Sequence, residues 1–112
     1  MCVVTGWGND HTGNSQRHLQ KVSIPVQSNA KCNEWLEGEW VTSNMMCAGF
    51  EEGGKGSCFG DSGGPLVCKK NGVWKLAGIV SGSVYFSCAN PNKPGIYTRV
   101  SSYLDWIDEK IQ

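Results

Sequence analysis

Charge of one sign is what this chain most plainly lacks: ten Lys and Arg stand against ten Asp and Glu, and the formal net charge is zero. Such a balance sets up no overall field that gathers phosphate backbones or anionic lipid, so neither nucleic acid nor a membrane is an expected partner. No apolar run approaches the roughly 20 residues that cross a bilayer, and the start carries no basic segment followed by an apolar stretch. The chain also has no Cys-x-x-Cys pair and no His-rich cluster, which removes the usual zinc spacings; neither a metal nor a cofactor is expected. It has only two histidines, His11 and His18. No Asn-x-Ser/Thr sequon is present, so glycosylation is not expected, and neither an internal repeat nor a linker divides the sequence.

What is present is cysteine and glycine. Six cysteines and 15 glycines in 112 residues predict one disulfide-stapled, loop-rich unit matured in an oxidising compartment, and secretion of the parent protein follows. The cysteines allow many pairings, and arithmetic alone selects none. Short apolar or alternating runs recur at Cys2 to Thr5, Leu19 to Val26, Pro65 to Lys69, Trp74 to Ser81 and Gly95 to Val100, separated by Gly, Asn, Ser and Pro; this pattern predicts an all-β barrel or sandwich. Val22, Ile24 and Val26 alternate with Ser23 and Pro25 and should share a face, with an edge or bulge at the proline. A short helix is expected over Ser28 to Leu36. A second is expected over Ser102 to Ile111, opened by a Ser102/Asp105 capping box and docking Leu104, Ile107 and Ile111 on the β unit. Gly6 to Arg17 and Glu51 to Gly56 read as polar loops.

The chemistry concentrates in Gly60-Asp61-Ser62-Gly63-Gly64-Pro65. A serine hydroxyl attacks poorly unless a base takes its proton, and the oxyanion it creates needs donors aimed at it. Glycines on both sides of Ser62 permit unusual dihedrals and close substrate approach, so the Gly60 and Ser62 amides can point into one oxyanion hole. A plain Gly-rich turn accounts poorly for all six residues together. The Gly-x-Ser-x-Gly elbow of an α/β-hydrolase is formally satisfied, but Pro65 forbids the helix that must follow and no histidine comes after Ser62.

At this motif the sequence resembles the chymotrypsin and trypsin-like serine endopeptidases. The likeness runs from Cys2-Val3-Val4-Thr5-Gly6-Trp7-Gly8, through Thr42 to Gly49, Glu52 to Cys58 and Lys93 to Val100, to Asp105-Trp106-Ile107. The resemblance implies a six-stranded antiparallel Greek-key barrel with a short internal helix and a C-terminal helix. By the same likeness, residues 1–112 are the C-terminal barrel of a two-barrel peptidase, and the N-terminal barrel, which in the family brings the triad histidine and aspartate, is absent. It further implies the bridges Cys2–Cys68, Cys32–Cys47 and Cys58–Cys88. Ser62 is the nucleophile, and His11 and His18 fall where the family has no catalytic residue. Without its histidine such an enzyme loses on the order of a millionfold in turnover, so the chain alone is expected to be inactive.

By resemblance Asp61 pairs with an α-amino terminus freed on activation. With that partner missing, the loop around it is expected to be displaced or solvated, unless Asp61 is an ordinary turn aspartate bonded to nearby amides. The substrate pocket is expected at Gly56, Ser57, Ser81, Ser83 and Gly95. Gly56 puts no carboxylate on the floor, which argues against basic side chains, while Gly95 leaves room for bulky apolar or aromatic ones. Gly82-Ser83 replaces the family's Trp-Gly, which keeps elastase-like preference open, as does intrusion by Val84, Tyr85 or Phe86. Expected partners are peptide or protein substrates, protein inhibitors and the missing barrel, whose absence should leave an apolar patch and promote self-association. The competing reading is a non-catalytic binding domain on the same fold.

Overall fold

A computed structural model describes residues 1–10, 12–83 and 88–111. Its elements are β1 (Cys2–Gly6), β2 (Gln20–Ile24), β3 (Val26–Gln27), α1 (Asn29–Leu36), β4 (Met45–Ala48), β5 (Pro65–Lys70), β6 (Val73–Ser83), β7 (Gly95–Arg99), a 3-10 turn (Val100–Tyr103) and α2 (Leu104–Ile111). One antiparallel sheet runs β2-β1-β5-β6-β7-β4-β3. Its two ends, β2 and β3, are halves of a single strand broken only by Pro25, which lacks the N–H a ladder needs. The carbonyl of Pro25 still accepts from the Gly49 amide at 2.9 Å. Counted as one bent strand, β2 and β3 bring the total to the expected six and join the sheet's two edges into a barrel.

The connectivity is a Greek key. β1, the bent strand and β4 are successive neighbours, and β5 then returns to the far side of β1. The return spans residues 49–64, so the crossing from β4 back to β1 is the segment that carries the serine motif. β5 and β6 are joined at Asn71 and Gly72 with φ of 52° and 78°, the two-residue turn whose twist matches that of paired strands.

Alternation along the strands fills the interior. Val4, Ile24, Met46, Ala48, Leu66, Val80 and Tyr97 form the main core. A second cluster, Cys32, Leu36, Val41, Cys47 and Ile96, sits under α1. That helix is capped by Ser28, whose side chain accepts from the Lys31 amide at 3.1 Å, and stops at Glu37 in the left-handed region. Three disulfides close the fold: Cys2–Cys68 directly across β1 and β5, Cys32–Cys47 from α1 to β4, and Cys58–Cys88 from the return segment to the residues after β6.

Three expectations need correction. β4 is a strand that the sequence pattern did not mark. Val26 lies past the Pro25 break and is exposed instead of sharing the buried face of Ile24. The C-terminal helix begins at Leu104 behind a 3-10 turn, and Ser102 donates weakly to the Ser43 carbonyl at 3.5 Å. Its expected docking face is not buried: Ile107 is half-covered, while Leu104 and Ile111 are open to solvent.

Candidate active site

The return segment is pinned at both ends of the serine motif. The Gly63 amide donates to the Val80 carbonyl at 2.8 Å and the Val80 amide donates back to Gly64 at 2.9 Å, fixing the exit to β6. Before it, a tight turn closes with the Asp61 amide donating to Cys58 at 3.0 Å. The half-buried Asp61 carboxylate holds the turn against β1: Oδ1 accepts from the Gly8 amide and Oδ2 from the Cys58 amide, each at 2.8 Å. The loop is therefore neither loose nor solvated as an unpaired carboxylate would demand. Two backbone donors satisfy Asp61 in place of an ammonium group, which is the turn-aspartate alternative.

Gly60 explains how the turn fits. Its φ is +98°, and a Cβ there would stand 3.0 Å from the Gly8 Cα. Two glycine backbones thus pass in contact, and only glycine on both sides permits it. The result presents Ser62 at the surface. Among the described residues neither the Gly60 nor the Ser62 amide donates a hydrogen bond. An exposed hydroxyl beside two amides without acceptors has the groups that acyl transfer uses.

His18 is exposed on the β1–β2 connection, and His11 lies outside the described residues. Among the described residues no group of three or more His, Cys, Asp or Glu is placed to hold a metal.

Gly56, Ser57, Ser83 and Gly95, four of the five expected pocket residues, line one narrow cleft together with Phe50 and Pro94. Its volume is about 10 Å³, room for one water and far short of an aromatic side chain. Ser81 stands apart as the extra residue of a bulge between Val80 and Gly82, where it is exposed on β6. Val84, Tyr85 and Phe86 lie outside the described residues. A second cleft, about 500 Å³, shares Lys55, Gly56 and Ala89 with the first and is lined also by Gly8, Lys21, Asp61 and Asn90 among others.

Tyr97 was missed from sequence. It is fully buried, its hydroxyl lies 3.1 Å from Ser57 Oγ at the foot of the narrow cleft, and a Cβ on Gly95 would meet its ring at 3.1 Å. Strand parity puts Gly95 and Tyr97 on the same side of β7, and that signal was available. Burial pushes the Tyr97 hydroxyl above its usual value, the Ser57 bond pulls it back, and the nearby Asp61 charge raises it.

The sign of the consequence follows from linkage. Below pH 10 both folded and unfolded states keep this proton; above it the unfolded chain releases the proton and the folded one retains it, so stability falls as pH rises. Tyr97→Phe should remove this part of the alkaline loss, at a cost of about 1 kcal/mol at neutral pH from the lost Ser57 bond. Urea unfolding of both proteins between pH 8 and 11, on the scale set by the ordinary tyrosine value, checks it; parallel pH profiles would refute it.

Comparison with known proteins agrees with this geometry. The family model described as Trypsin matches residues 1–107. Coagulation factor XI of Bos taurus is 46% identical over 112 residues, an alignment covering 99% of this chain and 18% of the relative. The chain thus spans less than a fifth of the length of that relative.

Proposed function

The chain belongs to the trypsin family of serine proteases, and from that premise we propose that it is the nucleophile-bearing barrel of a secreted serine endopeptidase. The observation that carries the reading is Ser62, exposed beside the uncommitted amides of Gly60 and Ser62 on a turn tethered through Asp61.

In the proposed reaction Ser62 Oγ attacks the scissile carbonyl carbon as its proton passes to a histidine that a companion barrel supplies. The carbonyl oxygen takes up negative charge against the two amides, the amine leaves with that proton, and water then hydrolyses the acyl-enzyme by the same route. The three disulfides fit maturation outside the cell. α2 buries no residue and exposes Trp106 at 59%, which fits a surface that the companion barrel covers.

Asp61 is read as the anchor of an incoming α-amino group. Its carboxylate borders the 500 Å³ cleft, and an ammonium entering there would take it from the Gly8 and Cys58 amides. Releasing those amides frees the Gly56–Ser57 segment, which widens a pocket that now admits one water. The opened pocket, with no carboxylate on its floor, takes bulky apolar or aromatic side chains; Ser83 on its wall favours a smaller, elastase-like residue as the second reading.

Fluorophosphonate labelling separates the outcomes. The isolated chain should take up no label, and the product read through from its upstream coding sequence, once cleaved to free the α-amino group that Asp61 anchors, should take up one per chain, abolished by Ser62→Ala. Stoichiometric labelling of the isolated chain would overturn the account of an inactive half. An unlabelled product that has been cleaved in this way and retains a triad histidine and aspartate would leave the non-catalytic binding domain.

A further inference from the structure

Zero net charge conceals a segregation. Between Asp61 and Asp105 the sequence has no acid at all, yet it carries Lys69, Lys70, Lys75, Lys93 and Arg99. Three of these lie on the β5–β6 hairpin. β7 pairs with β6 only from Gly78, so the hairpin end extends past the β7 edge. Every residue from Lys69 to Leu76 is exposed.

The ladder fixes where the charges stand. Lys69 faces Trp74 across the strands, with its Nζ 5.6 Å over the indole ring, on one face of the ribbon. Lys70 opposite Val73 and Lys75 opposite Cys68 share the other face as diagonal neighbours, about 7–8 Å apart at the backbone. That separation is within the screening length of about 8 Å at physiological salt, so the two act on an anion together. Among the described residues none of the three lysines has a carboxylate partner.

We propose that the β5–β6 hairpin end, through Lys69, Lys70, Lys75 and the exposed ring of Trp74, is a binding site for a sulfated polysaccharide. Splitting the lysines between two faces suits a flexible polyanion that wraps the ribbon and defeats a flat anionic membrane, which meets one face at a time. The half-exposed Trp74 ring offers an apolar plane on which the C–H face of a sugar packs, beside lysines that take its sulfates. The proposal does not depend on the protease reading, since it uses no residue of the Ser62 loop.

The test is titration of the intact chain with a heparin oligosaccharide at low salt, monitored by Trp fluorescence and calorimetry. Lys69→Ser/Lys70→Ser/Lys75→Ser should weaken binding about a hundredfold, the order expected for three lysines withdrawn from an anionic surface. The corresponding triple Lys→Arg variant should retain it, and Lys31→Ser/Lys110→Ser, outside the hairpin, should leave it unchanged. Binding should collapse as salt rises. Equal losses in the hairpin and control variants overturn the site, as does retained affinity for the desulfated oligosaccharide. Tighter binding to phosphatidylserine vesicles or to polyglutamate overturns the choice of ligand. No binding to any probe leaves the lysines as guards of an exposed sheet edge and refutes the proposal.

Discussion

Replacing Cys2 and Cys68 together with alanine should lower the unfolding free energy by about 4 kcal/mol, the largest loss among the three bridges. The bridge joins residues 66 apart in sequence, against 30 for Cys58–Cys88 and 15 for Cys32–Cys47. Loop-closure entropy rises with that separation, so the chain-entropy account ranks the pairs at about 4, 3.5 and 3 kcal/mol. A domain of this size holds about 5–15 kcal/mol in total, so loss of the longest bridge leaves little margin. Alanine is the right replacement because Cys32 and Cys47 are both wholly buried in the apolar cluster beneath α1, where serine would add the separate cost of a buried hydroxyl. Urea unfolding of the three double variants reads the order directly. If the Cys32/Cys47 variant is the least stable, packing under α1 outweighs closure entropy and the ranking fails.

Sequence made the strands visible where one face is buried and the other wet. β1 alternates buried and half-buried positions, and its pattern was legible from Cys2 onward. β4 escaped because Met46, Cys47 and Ala48 are buried in succession, a short apolar run without the alternation that identifies a strand. Pro25 was recognised as a disturbance, but that it divides one strand into the two pieces that close the barrel depends on pairing with β1 and β4, which no local pattern contains. For α2 the amphipathic pattern correctly marked a helix and wrongly implied a surface to receive it.

The candidate site divides in the same way. The six-residue motif was legible because its glycines announce a backbone requirement. Its fastening was not: the Asp61 carboxylate is held by Gly8, 53 residues away in sequence. Gly56, Ser57, Ser83 and Gly95 were placed by likeness and do share a cleft, yet that cleft admits only a water, a property of loop position that residue identities do not encode.

Gly60→Ala, in the protease assembled with its companion barrel, should lower kcat about a hundredfold to a thousandfold with little change in KM, the effect of losing one oxyanion donor. Two strains act at once. A side chain at φ +98° is held in a region that L-residues avoid, and its Cβ meets the Gly8 Cα at 3.0 Å, a backbone atom that has no rotamer to retreat into. Gly8 has no side chain to give up and cannot yield by becoming smaller. The loop must therefore move, and the Gly60 amide moves with it, while the cleft proposed to take the substrate side chain, lined by Gly56 and Gly95, adds no contact to the new carbon. Gly13→Ala is the matched control: its φ of +84° imposes a similar dihedral strain, but nothing lies within 4 Å of the added carbon. It should cost about 1 kcal/mol of stability and leave kcat unchanged. Should Gly60→Ala turn over as fast as Gly13→Ala, the Gly60 amide does not contact the oxyanion, and the close passage of Gly8 and Gly60 serves the fold alone.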